Sequence, residues 1–561
     1  MEEAQKILPN GRKTAEQLAV EQKEISISEF FEKNRHLLGF DSKIKALLII
    51  IKEGVDNALD ACEEARMLPE VYVRIEELEK EKYKIIIKDN GPGIVKKNIP
   101  KIFGTLLFGS KFHKLRQSRG QQGLGISMCV LYSQLTSGES TEVISSIGKG
   151  ETHKYRLKMN VKTNSPVILS EEIVPNHENW HGVQVTFICE GLYREHKQSV
   201  LEYLRETAVS NPFARIVFDG PTGRYEFSRG VETLPKEPTE IKPHLYGVEV
   251  GLMSRMLHDS KARTLQSFLT SEFTRVGKTA ALDVIKKAEI WLTDSAGNPV
   301  LDEKGNNVPG ARISPKKITD KQVNSIIKAV KEVKLTRPPT DCLSPLRSKL
   351  IEEGLKKEMS PDFVSAITRS PTVYRGWPFQ VEVGIAYGGS IGEAKIMRFA
   401  NRVPLLYQQG DCAITKAIST IDWRRYGLEG DKFPVGPIVV FVHICSVWVP
   451  FTSESKEAVA SYPIILKEVK LALQEATRKL SLYLSGMRRA EYQAERLRIF
   501  ERYAGETALA LNELTGVPAE QIKARIKEIV SKNIPVLKEE EENGKESGEP
   551  ETKPEAGQEA G

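Results

Sequence analysis

The 561 residues are 40% hydrophobic and 28% charged, and no apolar run reaches the length of a membrane span, which sets the expectation of a soluble chain of three or four domains. Its start, Met1-Glu2-Glu3-Ala4-Gln5-Lys6, lacks a signal-peptide layout. The cysteines at 62, 129, 189, 342, 412 and 445 form no Cys-x-x-Cys pair, so a cytoplasmic protein without disulfides or a thiolate zinc site is expected. The net charge of +6 hides nine Glu and two Lys in residues 539–561, which leaves +13 on residues 1–538 and permits an anionic partner such as DNA.

Residues 1–40 read as a mostly polar arm whose cluster Ile25, Ile27, Phe30, Phe31 and Leu37 packs on something, a second copy being one candidate. Ile44, Leu47, Leu48, Ile51, Leu59 and Cys62 recur at helical spacing over 43–66, with Asp41 and Ser42 as N-cap residues. Alternation at Val71, Val73 and Ile75 predicts a strand, and Tyr83–Lys88 its antiparallel partner. A helix from Ile126 and strands at 141–147, 152–159 and 183–189 complete an α+β sandwich that closes near Pro212. Residues 246–290 suggest short helices, and 312–337 hold eight Lys or Arg against two acids. Between them Asp294-Ser295-Ala296-Gly297-Asn298-Pro299 and Gly305-Asn306-Asn307 mark a loop excursion. Strands return at 379–387, 395–407 and 438–446 with helices between, the pattern of a βαβ unit. A long helix over about 461–498 follows, then two shorter ones to about 531. No internal repeat is evident, and the acidic end reads as a disordered tail.

The first helix carries Glu53-Gly54-Val55-Asp56-Asn57-Ala58-Leu59-Asp60. Glu53 and Asn57, four apart, share a face with Asp60 a turn further on, and such a pair can hold a water and a hard metal ion, though alone it is an ordinary polar face. Asp89-Asn90-Gly91-Pro92-Gly93 puts a carboxylate at a strand end, able to accept a hydrogen bond from an exocyclic amine, before glycines that let backbone approach a flat ring. Alone it is a turn. Gly120, Gly123 and Gly125 open a helix whose amide groups can face an anion. Two strings are decoys. His177-Glu178-Asn179-Trp180-His181 matches a zinc-protease motif but lies between Pro175 and a strand rather than on a helix, and Gly277-Lys278-Thr279 lacks the first glycine of a P-loop because position 272 is Glu.

In order and spacing, Glu-x-x-x-Asn-x-x-Asp, Asp-x-Gly-x-Gly and Gly-x-x-Gly-x-Gly over residues 45–130 resemble the Bergerat nucleotide site of the GHKL ATPases. Within that group Lys242–Val248, Ala262-Arg263-Thr264, Arg275-Val276-Gly277, Gly388-Gly389-Ser390, Arg398–Tyr407 and Asp422–Gly427 are similar to the B subunits of type IIB DNA topoisomerases. That resemblance implies an N-terminal arm over 1–40, a GHKL α/β sandwich over 41–234 and a helix-two-turn-helix domain over 235–335. A transducer domain with a βαβ crossover and a long helix follows over 336–498, then a C-terminal helical segment over 499–535 and the acidic tail over 536–561.

It also implies ATP and Mg2+ as cofactors, with Glu53 activating water, Asn57 on the metal and Asp89 on adenine beside Gly91 and Gly93. Ser110, Lys111 and the lid Arg119, Gly120, Gln121, Gln122, Gly123, Leu124, Gly125 and Ile126 would cover the phosphates. Lys456 of Ser453-Glu454-Ser455-Lys456 would reach the γ-phosphate from the transducer, although the gyrase-type Gln-Thr-Lys is not kept. A Gly-Thr pair common on the adenine side reads Gly182-Val183, with Thr186 as a doubtful substitute. The implied partners are a DNA-cleaving A subunit, duplex DNA and a second copy of this chain, closing on ATP within a heterotetramer of two A and two B subunits near the nucleoid of a prokaryotic-type cell. A GHKL chaperone or DNA-repair clamp, and a nucleotide-binding scaffold without turnover, are the alternatives.

Overall fold

The computed structural model describes residues 31–533, apart from 32, 37, 38, 112, 113, 121, 122, 149, 177, 178 and 454. Most of the N-terminal arm, lid residues Gln121 and Gln122, His177, Glu178, Glu454 and the acidic tail lie outside the described residues. The chain divides after Leu480 into two compact units.

In the first unit α1 (Lys43–Glu64) starts where the Ser42 side chain accepts from the Lys45 amide. Its apolar stripe, Ala46, Leu47, Ile50, Ile51, Val55, Ala58, Leu59 and Cys62, is buried. Strands β1 (Glu70–Glu79) and β2 (Lys82–Asp89) form the predicted hairpin, and α2 (Ile99–Gly104) and α3 (Gly125–Ser137) follow. Next come β3 (Thr141–Ile147), β4 (Glu151–Asn160), β5 (Ser165–Pro175), β6 (His181–Glu190), α4 (Val200–Ser210), β7 (Arg215–Gly220) and β8 (Gly223–Phe227). These strands make one sheet in the order β5-β4-β3-β6-β2-β1-β7-β8. Its neighbours are antiparallel except β1 and β7. One face carries α1, α3 and α4 and buries the core of Phe31, Leu47, Val73, Ile85, Leu131, Tyr155, Phe187 and Tyr203.

Three strands of this sheet escape the sequence reading. β5 is an edge strand whose Val167, Ile168 and Leu169 are all exposed, so it shows no alternation, and prolines stand near both of its ends. β7 and β8 come after Pro212, so the sheet runs on past the point where the sandwich was expected to close.

Helices α5 (Val250–Asp259), α6 (Leu265–Glu272), α7 (Lys278–Lys287) and α8 (Asp320–Glu332) share a separate core of Met253, Leu257, Phe268, Leu269, Ile285 and Ile326. The excursion between α7 and α8 is ordered. Its backbone closes a ring, Leu292 N to Val308 O, Val300 N to Leu292 O and Val308 N to Val300 O, each at 2.8 Å. Asp294 and Asp302, eight residues apart, each accept from the amides two and four positions on at 2.8–2.9 Å. The chain therefore does contain a short repeat, Asp-x-x-Gly-Asn twice, too brief to stand out from turn-forming residues in general.

The second sheet follows α9 (Arg347–Met359). It holds β9 (Phe363–Thr368), β10 (Thr372–Tyr374), β11 (Trp377–Tyr387), β12 (Lys395–Ala400), β13 (Val403–Pro404) and β14 (Ile438–Ser446), in the order β10-β11-β14-β12-β13 with β9 also on β11. β12, α10 (Ala413–Ile418) and parallel β14 make the expected βαβ crossover. All nine residues of β14 are buried, as a central strand requires. The single strand expected over 395–407 is instead a hairpin, because Asn401 and Arg402 both take positive φ, 48° and 70°, and reverse the chain.

A long helix, α11 (Pro463–Thr515), leaves this unit and enters the next; it does not stop near 498. Ala504, Ala508, Leu509, Ala510, Leu511 and Leu514 with three glutamates and Arg502 favour helix over 499–515, and the left-handed Gly516 ends it. One further helix, α12 (Ala519–Asn533), follows where two were expected. Among the described residues no helix is long and apolar enough to cross a membrane.

Candidate nucleotide site

A cavity of about 850 Å3 lies over α1 and the end of β2, within the size range of sites for small organic ligands. Glu53 and Asn57 face it from α1, one helical turn apart, and Asp89 and Gly93 from the β2 end. Ser110, Lys111, Gly120, Gly123, Leu124, Gly125 and Ile126 line the opposite side, and Lys456 reaches it from the loop after β14. Residues far apart in sequence thus meet here. Gly91 and Arg119, from the same motifs, do not line it: Gly91 braces Asp89, and the Arg119 side chain is only 1% exposed and points among acids.

Asp89 ends a strand paired to β1 and beside β6, which fixes its carboxylate at the cavity floor. Its Oδ1 accepts from the amides of Gly91 at 2.8 Å and Val183 at 3.1 Å. Burial pushes its carboxyl up to about 6, with those two amides opposing the shift. Gly182 has φ +137°, and a Cβ there would stand 2.1 Å from the Asp89 carbonyl oxygen, so only glycine lets β6 pass this closely. Val183 and Val185 form the apolar wall, while Thr186, next in the alternating strand, is absent from it. His181 opens β6 with its Nδ1 2.8 Å from the Gly91 carbonyl oxygen, so the zinc-protease string runs into a strand here.

The lid's attachment is ionic. Arg119 contacts Asp60 at 2.8 Å and Glu63 at 2.6 Å, and Lys111 contacts Asp60 at 2.6 Å. Burial raises the Asp60 carboxyl, but Lys111 and Arg119 outweigh it and hold the group below the ordinary carboxylate range. Asp60, grouped with Glu53 and Asn57 by spacing, is therefore the lid's anchor. Gly125 rests on Glu53: a Cβ there would lie 1.8 Å from Glu53 Oε2. Asp56 faces a smaller cleft beyond Asn57, accepts from Tyr203 Oη at 3.0 Å, and is pushed by burial up to about 7.

Among the described residues, the side chains of Lys52, Glu53, Asn57 and Lys456 make no hydrogen bond or salt bridge, although all four line the cavity. They are among the polar groups left for a ligand. A carboxamide oxygen with a nearby carboxylate suits Mg2+, which takes few protein ligands and completes its octahedron with water and phosphate oxygens. Lys52 was missed because a lysine beside glutamate on a helix gives no signal of its direction. A second cluster, Glu382, His443 and Cys445, has metal-ligand composition and is fully buried. It is a hydrogen-bonded core instead. His443 Nε2 accepts the Arg402 amide at 2.9 Å, so the proton sits on Nδ1, donated to Glu382 at 2.8 Å, and neither ring nitrogen is free to ligate.

A carboxylate at a strand end, a Glu and Asn pair on the facing helix and a glycine lid over one cavity define an ATPase of the histidine kinase, gyrase and HSP90 class. Residues 42–161 match the family described as histidine kinase-, DNA gyrase B- and HSP90-like ATPases, and residues 338–496 match the topoisomerase VI B subunit transducer. The B subunit of type 2 DNA topoisomerase 6 from Methanococcoides burtonii is 47% identical over 479 residues, 84% of this chain and 74% of that protein. Its counterpart from Methanosarcina barkeri is 46% identical over 482 residues, with the same coverage of both. The one from Pyrococcus horikoshii is 42% identical over 551 residues, 93% of this chain and 97% of that protein. The chain belongs to the family of type 2 DNA topoisomerase 6 B subunits. It is the ATP-hydrolysing kind of subunit in a type IIB topoisomerase.

Proposed function

We propose that this subunit works as an ATP-operated gate: two copies close on ATP and pass one DNA duplex through a double-strand break made by an A subunit, so relaxing supercoils and decatenating DNA. The assembly is a heterotetramer of two A and two B subunits, working in the cytoplasm at the nucleoid. Residues 1–40 are the arm that joins the two copies, 41–234 the ATPase domain, 235–335 the helix-two-turn-helix domain and 336–498 the transducer. Residues 499–535 are a helical segment that extends it, and 536–561 are the acidic end.

The observation that carries this reading is the meeting of Glu53, Asn57, Asp89, the lid glycines and Lys456 around one cavity. Asp89 accepts a hydrogen bond from the adenine amine while Gly91 and Gly93 keep the backbone clear of the ring. Asn57 is the protein ligand for Mg2+, which when bound neutralises charge on the phosphate oxygens. Ser110, Lys111 and the lid from Arg119 to Ile126, including Gln121 and Gln122, close over the triphosphate, where positioning and charge do most of the catalytic work. Glu53 orients a water in line with the γ-phosphate and draws off its proton. Lys456 adds positive charge at that phosphate. Because it comes from the second sheet's side of the unit, release of phosphate frees that domain to move.

The test is relaxation of supercoiled plasmid by this chain with an A subunit, ATP and Mg2+. Relaxation is expected only with all four present, and relaxation by this chain alone refutes the assignment. Glu53→Ala should abolish hydrolysis, a loss of about 100-fold or more, while ATP binding measured by calorimetry persists. Loss of binding as well would show that Glu53 holds the nucleotide rather than the water.

A further inference from the structure

The Lys456 loop is not the single place where the second sheet meets the nucleotide lid. At the tip of the β12–β13 hairpin, Asn401 and Arg402 both hold left-handed backbone, a conformation that Asn tolerates and most other side chains avoid. Asn401 Nδ2 donates to the Ser118 carbonyl at 3.0 Å, one residue before Arg119, and to the Ser446 carbonyl at 2.9 Å, while its Oδ1 accepts from the Ser446 amide at 2.9 Å. Arg402 contacts Glu63 at 2.8 Å, and Glu63 in turn holds Arg119 at 2.6 Å. The Arg402 carbonyl accepts from Ser210 Oγ on α4 at 2.8 Å. The turn therefore grips the base of the lid, the helix carrying Glu53 and Asn57, and α4 together.

Behind the turn the connection continues without a gap. The Arg402 amide donates to His443, His443 to Glu382, and Glu382 accepts the amides of Leu346 and Arg347 at 2.9 and 2.6 Å, at the start of α9. His443 and Glu382 are wholly buried, and Arg402 and Asn401 are about 5–6% exposed. None of these four groups is solvated, so water does not soften their contacts as it does a surface ion pair.

We propose that Asn401 and Arg402 are positioning residues for ATP hydrolysis: through Ser118 and Glu63 they set where the lid sits, and through His443 and Glu382 they report that position to α9 and the second sheet. Neither side chain lines the nucleotide cavity, although Asn401 borders the smaller cleft beside Glu53 and Asn57. This proposal rests on the nucleotide-site reading above and extends it to a second coupling contact beside Lys456.

The test uses the full-length chain, alone and with an A subunit and supercoiled plasmid. Arg402→Gln should lower kcat for ATP about tenfold while KM and ADP affinity move less than twofold, because the site still binds but its lid is misplaced. Arg402→Lys should recover much of the loss by restoring charge opposite Glu63. Glu63→Gln breaks the same bridge from the other end and should show the same split, which keeps the test open should Arg402→Gln fold poorly. Wild-type kcat in a folded Arg402→Gln chain, or equal losses of kcat and ADP affinity, overturns the proposal alone. A wild-type chain that neither binds nor hydrolyses ATP overturns the nucleotide-site reading and this proposal together.

Discussion

Asp89 is where local chemistry can be read most directly. Its carboxyl, raised by burial to about 6, accepts from an amine best when ionised, because Oδ1 is already taken by the Gly91 and Val183 amides and a proton would go to the one oxygen left over. Above that value it accepts; below it the carboxyl takes a proton and turns donor towards the adenine amine. ATP affinity should therefore fall about tenfold between about pH 7 and about pH 5, since roughly one site in ten stays ionised at the lower value. Asp89→Asn should bind weakly at both, and titration calorimetry across that range checks it; a flat wild-type profile would remove Asp89 from the adenine contact. His443 illustrates the opposite sign. Burial lowers it, so it stays neutral when folded, whereas the unfolded chain gains a proton there near the ordinary value of 6.5. Its contribution to stability is present above that value and is lost as the pH falls below it. The meeting of Glu53, Asn57 and Asp89 at one cavity was legible in sequence because they stand in short, ordered motifs. Lys52, Asn401 and Arg402 were not, because their meaning depends on which way a side chain turns or on contacts made some 280–340 residues away.

At the scale of elements, the lid helix α3 is seated on α1 by the absence of a side chain. Gly125→Ala places a methyl group where Glu53 Oε2 now lies, so either the helix start or the glutamate must move. With Glu53 in the water-orienting role proposed for it, a displacement of about 1 Å there should cost about 100-fold in kcat, with ATP binding changed only a few-fold. Steady-state kinetics beside calorimetry checks this, and unaltered turnover would show that the lid does not rest on Glu53 in the working state. Elements with a clean period were readable: α1 by its apolar stripe, β1, β2 and β6 by alternation, β14 by its continuous apolar run. β5 was hidden by lying at an edge, and β9 and β10 by their short length beside prolines. The 395–407 hairpin was read as one strand because its reversal uses Asn-Arg, without the glycine that usually marks such a turn.

Taken whole, the molecule carries its basic excess outside the acidic tail, and part of it is ordered on α8. Lys321, Lys328 and Lys331 are exposed there while Val323, Ile326 and Val330 of the same helix are buried. If this face meets duplex DNA, the dependence of log affinity on log salt should lose about 0.9 per lysine in contact when all three become Gln. Fluorescence anisotropy over a salt series reads the slope, and an unchanged slope excludes α8 from the interface. The excursion that joins α7 to α8 bears on how such a molecule changes over time. Trp291 and Pro309 are already paired across its neck, and its interior settles its own backbone bonds in a ring. Such an appendage can be lengthened, exchanged or excised at little entropic cost to the helices that carry it. Natural variation is thus free to tailor this knob to its surroundings while the machinery beneath is left alone.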